Sequence, residues 1–209
     1  PSDVELADAL ARSGWSKLRL DPARRSVAFD VPGMVLNFGS IGKGYAIDRA
    51  VDVIRGHLLP TSALVHGGRS SLYALGSPPG RFAGRWEVAL RNPFDAETPL
   101  GVFHVRNRAI GTSGDVFQRF EAGGRSYGHI LDPRTGTPVD GPASLTVVAP
   151  NAAEADALST ALYVLGPDAA RDLVARRPEI GVVIVEEGPS DHSPRIIAMG
   201  LGSGDFSPT

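Results

Sequence analysis

The residues with the clearest chemical potential are a histidine and an aspartate twenty-seven positions apart. His129 lies in Tyr127-Gly128-His129-Ile130-Leu131-Asp132-Pro133-Arg134-Thr135-Gly136, where strand formers run into strong turn chemistry. A histidine at a strand end beside an abrupt turn can reach a cleft, and the same position also suits a structural imidazole. Asp156 lies in Ala155-Asp156-Ala157-Leu158-Ser159-Thr160-Ala161, which reads as the first turns of a helix. Asp156 and Thr160 there stand at i and i+4, so a carboxylate and a hydroxyl share one helix face. Two hard oxygens so close suit Mg²⁺, which is held by one or two carboxylates plus substrate phosphates. A helix cap or dipole partner is the structural alternative for Asp156. The imidazole and the oxygen pair together suggest metal-assisted chemistry on a phosphate ester or anhydride.

A glycine-rich stretch, Gly39 to Gly44, carries Lys43 and opens a helix. Such a segment lets backbone N–H groups approach an anion, with the helix dipole and the lysine adding positive potential. A tight structural turn fits the spacing equally well, and the pattern is not of the Walker type. The double glycine in His66-Gly67-Gly68-Arg69 suits positive φ or a close approach. Ser113-Gly114-Asp115 reads as an Asx-type turn. His57, His104 and His192 fall at a helix end, in a strand and in a polar turn, where structural or solvated roles are expected.

The elements that must position these residues are short. Of 209 residues, 42% are hydrophobic and 21% charged, enough for a buried core. The net charge of −2, with both signs interspersed, implies no nucleic-acid patch. The chain has no cysteine, which excludes disulfides, thiolate metal sites and cysteine nucleophiles. No apolar run is long enough for a transmembrane helix. A capped amphipathic helix is expected from Val4 to Trp15 with Ser2 as cap, then a hairpin of 17–20 with 26–29. Helices are expected from the Gly39–Gly44 stretch to about His57, over 154–165 and over 168–176. Strands are expected at 63–65, 71–75, 86–91, 101–105, 109–111, 144–149, 182–185 and 195–199, and the tip at 76–84 reads as a hairpin loop. Residues 117–121 should pair with 125–131. Strands outnumber helices and most connections are short, so the fold class is α+β, with a mixed, mainly antiparallel sheet and packed helices.

His129-Ile130-Leu131-Asp132-Pro133-Arg134-Thr135-Gly136, followed by Ala155-Asp156-Ala157-Leu158-Ser159-Thr160-Ala161-Leu162-Tyr163-Val164-Leu165-Gly166, resembles the C-terminal half of the ApbE-type FAD:protein FMN transferases. Asn37-Phe38-Gly39-Ser40-Ile41-Gly42-Lys43-Gly44-Tyr45-Ala46-Ile47-Asp48 is similar to that family's Asp-Leu-Gly-Gly/Ala-Ile-Ala-Lys-Gly-Tyr-Ala-Val-Asp signature, and Thr112-Ser113-Gly114-Asp115 matches a further block. The resemblance implies one ApbE-like domain over residues 1–209, shortened at its N-terminus. It covers nearly all of this chain but about the last two-thirds of a typical member, without a counterpart of the Gly/Ala-Phe-Asp flavin-contacting block. A chain without that block is expected to expose apolar surface beside Gly39–Lys43.

The resemblance further implies transfer of FMN from FAD to a Thr or Ser of a target flavoprotein with release of AMP, or hydrolysis of FAD. His129 is then the catalytic base. Asn37, Lys43 and Ile130 contact FAD. The Ser40 carbonyl, Asp156 and Thr160 hold Mg²⁺, or Ca²⁺ or Mn²⁺ in its place. By the same resemblance the compartment is periplasmic or the protein is a membrane-anchored lipoprotein. Asn37 stands where the family has Asp, and Arg69 ends a block that is Asn-x-Gly-Gly-Asp in the family. No family role is carried onto Arg69. The alternative reading is a non-catalytic flavin-binding or structural module of the same fold.

Overall fold

Ser144–Ala149 and Gly181–Glu187 carry runs of apolar residues with little polar alternation, the pattern of strands covered on both faces. They form the centre of the molecule. The computed structural model describes the chain except residues 59, 79, 81–83, 115–118, 123–124 and 189–192. In chain order its elements are α1 (Asp3–Arg12), β1 (Leu18–Asp21), β2 (Ser26–Phe29), α2 (Gly42–His57), β3 (Ser62–His66), β4 (Ser71–Gly76), β5 (Trp86–Leu90) and β6 (Gly101–Val105). β7 (Arg108–Ser113), β8 (Arg119–Ala122), β9 (Arg125–Gly128), β10 (Ser144–Ala149), α3 (Ala152–Leu165), α4 (Pro167–Arg176), β11 (Gly181–Glu187), β12 (Pro194–Met199) and β13 (Phe206–Pro208) follow.

A six-stranded sheet in the order β12-β11-β10-β7-β4-β3 is the middle layer. Alternation along its strands divides two cores. Val147, Val182, Ile184, Ala109 and Tyr73 face α2, α3 and α4, whereas Val148, Val183, Val185, Ile110 and Ala74 face a second sheet, β13-β6-β5. Strand side chains point alternately to the two faces, so neighbouring residues enter different cores. The two apolar interfaces supply the main driving force for folding. Every strand pairing among the described residues is antiparallel, and the architecture is α+β as expected.

Several boundaries differ from the sequence expectation. α1 begins with the anticipated Ser2 cap, in a full capping box with Glu5, but ends at Arg12 because Gly14 turns at φ 123° before a short 3₁₀ turn. α3 starts two residues early, since Asn151 rather than a later residue caps it by accepting from the Glu154 N–H at 2.8 Å. The tip at 76–84 is not a hairpin loop. β4 pairs with β3 and β7 in the middle layer, while β5 pairs with β6 in the other sheet, so the flanking strands lie in different layers, and residues 79 and 81–83 between them lie outside the described residues. β9 stops at Gly128, leaving His129 just outside the strand. Asp115, His192 and part of the anticipated 117–121 strand lie outside the described residues.

Candidate active site

The site begins where two helices are forced together. α2 and α3 approach so closely that a Cβ on Gly44 would stand 2.1 Å from the Ala152 carbonyl oxygen. Only a residue without a side chain permits that crossing. The two helix starts then serve each other. Asp48 of α2 accepts the N–H groups of Ala152 and Ala153 at 2.8 Å each, satisfying orphan donors in the first turn of α3. In return, Asp156 of α3 accepts the Gly44 N–H at 3.0 Å, in the first turn of α2. Ile41 sits at the N-cap of α2 without a side-chain cap bond, so Asp156 fills part of that role from the neighbouring helix.

Asp156 is 3% exposed. Its second oxygen accepts from the Ser71 hydroxyl at 2.9 Å, and Lys43 Nζ stands 3.9 Å from that oxygen while donating to Ser70 Oγ at 2.7 Å. The carboxylate is therefore oriented by two neutral donors with one cation close by, so a buried polar group has its partners. Each oxygen retains acceptor capacity. One turn later, the Thr160 hydroxyl lies 3.0 Å from Ser113 Oγ, which also lies 2.9 Å from Ser159 Oγ. α3 reaches β7 this closely because a Cβ on Gly111 would meet the Ala155 carbonyl carbon at 2.5 Å.

Ser40 precedes α2 in a turn closed by the Ile41 and Gly42 N–H groups donating to the Phe38 carbonyl. The Gly44 N–H, which helical continuation would aim at the Ser40 carbonyl, is taken by Asp156. The Ser40 carbonyl consequently accepts no hydrogen bond among the described residues. Asn37 shapes the same turn, its Oδ1 accepting the Gly39 N–H at 2.7 Å.

His129 follows β9 and is exposed, without a hydrogen-bond partner among the described residues. The loop behind it is firmly built. Val139 N–H donates to the Ile130 carbonyl at 2.9 Å, Leu131 bridges Pro138, and Asp132 accepts from the backbone and side chain of Arg134. Those bonds, the Arg134 side chain foremost, hold the Asp132 carboxyl below its ordinary range. Leu6 and Leu10 of α1 pack over the same loop at Gly136.

All seven residues singled out from sequence meet in one cleft of about 700 Å³, within the range of small-molecule sites. Asn37, Ser40 and Lys43 from around the start of α2, Asp156 and Thr160 from α3, and His129 and Ile130 from the segment after β9 all line it. Sequence reasoning missed Ser70, Ser71 and Arg91 and assigned no role to Arg69. Ser70 and Ser71 hold Lys43 and Asp156, and Arg69 and Arg91 add positive charge to the lining. The signal available was position: Arg69, Ser70 and Ser71 follow the double glycine, where Gly68 turns the β3–β4 tip at φ 82°. Outside the cleft, Val35 (86% exposed), Phe38 (63%) and Tyr45 (58%) leave apolar surface open beside Gly39–Lys43.

A divalent cation fits this donor set. Carboxylate, hydroxyl and unengaged carbonyl are all hard oxygens, and no group of three or more His, Cys, Asp or Glu forms a metal cluster among the described residues. Such a sparse set matches an ion that keeps waters and substrate phosphates as its remaining ligands, the habit of Mg²⁺. No helix among the described residues is long and apolar enough to cross a membrane.

Comparison with known proteins gives one answer. The model of a family described as the ApbE family matches residues 1–184. The FAD:protein FMN transferase of Escherichia coli is 31% identical over 197 residues, covering 91% of this chain and 54% of that protein. The Treponema pallidum protein of the same name is 32% identical over 201 residues, covering 88% of this chain and 54% of that protein. Among solved structures, the ApbE protein of Thermotoga maritima superposes with a TM-score of 0.82 at 30% identity, covering 95% of this chain and 62% of that one. The apo flavinyl transferase ApbE of Pseudomonas stutzeri gives a TM-score of 0.78 at 30% identity, covering 95% and 59%. The chain thus spans about half the length of the curated relatives it matches.

Proposed function

Because this chain belongs to the ApbE family, we propose that it transfers FMN from FAD to a Thr or Ser of a target flavoprotein and releases AMP. The observation that carries this reading is the single cleft shared by an unpartnered imidazole, a buried oriented carboxylate and three cationic side chains. Among the described residues, Lys43, Arg69 and Arg91 line it together with the acid Asp156, a set suited to contacting a pyrophosphate.

In the proposed reaction the acceptor hydroxyl oxygen forms a bond to the FMN-side phosphorus. The anhydride bond to the AMP phosphate breaks, and AMP leaves with the electron pair. His129 takes the hydroxyl proton as the oxygen meets phosphorus, the role of a general base. Lys43, fixed by Ser70, offsets charge on the phosphates. Ser71 and the Gly44 N–H keep Asp156 aimed, while Ser113 holds Thr160, so the Ser40 carbonyl, Asp156 and Thr160 are the residues that would hold Mg²⁺. Bound Mg²⁺ would supply charge neutralisation at the pyrophosphate. With water in place of the acceptor, the same arrangement hydrolyses FAD to FMN and AMP.

The test is incubation with FAD, Mg²⁺ and a Thr-containing acceptor peptide, with AMP and flavin-labelled peptide followed by chromatography and mass spectrometry. Magnesium-dependent formation of both supports transfer, and AMP with free FMN supports hydrolysis. Tight FAD binding without any AMP would establish the non-catalytic flavin-binding module instead. Asn37 favours that second reading in one respect, since its side-chain oxygen is already committed to the Gly39 turn.

A further inference from the structure

A second cluster of cations lies at the far end of the strands that lead to the cleft. Arg91 follows β5 and lines the cleft, whereas Arg85 precedes β5 and lines a separate hollow of about 470 Å³. At about 3.3 Å per strand residue the two arginines are roughly 20 Å apart. β7 runs between the same two places, from Arg108 at the hollow to Thr112 and Ser113 at the cleft. Gly84, Arg85, His104, Arg106, Arg108 and Asp205 form the hollow.

Arg85 and Arg108 are held largely by backbone carbonyls, with Asp205 paired to Arg85 and the charges of Asp205 and Glu179 offsetting part of the charge of Arg108. Arg85 Nη1 donates to Asp205 Oδ1 at 2.5 Å, and to the carbonyls of Gly204 and His104 at 3.0 and 3.4 Å. Arg108 Nη2 donates to two more carbonyls, of Glu179 and of Val148. Backbone carbonyls fix a guanidinium in place without neutralising it. The bonds of Arg85 leave from Nη1 and those of Arg108 from Nη2, so each keeps further N–H donors. Arg106 is exposed and has no hydrogen bond or ion pair among the described residues. Among the described residues, three guanidiniums therefore line a hollow with one carboxylate, Asp205. Burial pushes the Arg108 pKa below its ordinary value, against the Asp205 and Glu179 charges, which raise it, and with a smaller lowering from the Arg85 charge.

We propose that the hollow between Arg85, Arg106 and Arg108 is a second anion site, separate from the cleft, that binds a phosphate group. Phosphate carries about −1.5 to −2 charges near neutral pH and offers several strong acceptors, which matches preplaced guanidinium forks. The phosphate could belong to a soluble phosphorylated compound or to a phospholipid headgroup, and the test separates the two. The simpler alternative is that Arg85 and Arg108 only fasten the loops around β13. Arg106 fastens nothing, so it discriminates.

Side-chain Nε–H resonances of the arginines are followed by NMR as inorganic phosphate is added, in a Lys43→Ala background that weakens binding at the cleft. Saturable shifts of Arg85, Arg106 and Arg108 are expected, with Arg106→Glu weakening the apparent affinity by about tenfold or more at unchanged thermal stability. In parallel, co-sedimentation is measured with phosphatidylglycerol vesicles and with phosphatidylcholine vesicles. Binding to the anionic vesicles that Arg106→Glu removes assigns the site to a lipid headgroup. Phosphate binding without vesicle binding assigns it to a soluble compound. Arginine signals that do not move, or an Arg106→Glu protein that binds phosphate as tightly as its parent, would overturn the proposal.

Discussion

Asp156 has two roles that substitution can separate. It ties α2 to α3 through Gly44 and Ser71, and it offers the carboxylate of the proposed metal seat. Asp156→Ala should leave the Gly44 N–H and the Ser71 hydroxyl without their acceptor in a buried place, costing about 1–3 kcal/mol. Asp156→Asn behaves differently. Its amide oxygen can accept from Gly44 and its amide nitrogen can donate to Ser71, so only the charge is lost. Urea denaturation should therefore place the Asn variant within about 1 kcal/mol of the parent, while magnesium-dependent AMP release falls to background. An Asn variant that unfolds as easily as the Ala variant would mean that the charge, through Lys43, holds the helices together. His129 makes the converse case. Exposed and unpartnered, it should tolerate His129→Ala within about 0.5 kcal/mol of stability. FAD binding, read by flavin fluorescence, should stay near the parent value while turnover slows by about 10²–10⁴-fold. Equal loss of FAD affinity in the Asp156 and His129 variants would contradict the general-base role.

At the scale of elements, the reciprocal capping of α2 and α3 builds the site. Asp48→Ala removes the acceptor for two N–H groups at the start of α3 and should cost about 0.5–2 kcal/mol, measured by thermal or urea unfolding. Because α3 carries both Asp156 and Thr160, magnesium affinity should weaken in the same variant. Unchanged metal binding would show that Asn151 alone sets the helix start. This pairing also marks the limit of what the sequence discloses. The helical span of α2, the mainly antiparallel strands and the Ser2 cap are local, and periodicity and turn chemistry read them correctly. Asp48 was visible only as the end of a glycine-lysine signature, because its partners at Ala152 and Ala153 are a hundred residues away in sequence. The roles of Ser70 and Ser71 were hidden for the same reason, since they act across a sheet-helix contact. The 76–84 tip was misread because strand propensity does not say which layer a strand joins.

At the scale of the whole molecule, stability depends on the second sheet staying closed against the middle layer. β13 is short and pairs with β6, placing Phe206 4.8 Å from Phe103 between ring centroids, in the core shared with Val148 and Val183. Asp205, immediately before β13, accepts from the Gly202 N–H at 3.0 Å and from Arg85. Burial raises its pKa, but the Gly202 bond, the Arg85 bond and the charges of Arg85 and Arg108 outweigh burial and hold it below the ordinary carboxylate value. A carboxyl depressed on folding adds stability that is complete above the unfolded value of about 3.9 and is lost as pH falls through the lower folded value. Glu5, Asp95, Asp132 and Glu179 are depressed as well, but by local hydrogen bonds at the solvent-screened surface, where such bonds contribute little. Asp205 should therefore contribute most to the acid sensitivity among these five. The expected result for Asp205→Asn is a lower melting temperature at neutral pH and a flatter decline below about pH 4, read by differential scanning calorimetry across a pH series. Parent and variant curves running parallel into acid would assign acid unfolding to the surface carboxylates and release β13 from any role in it.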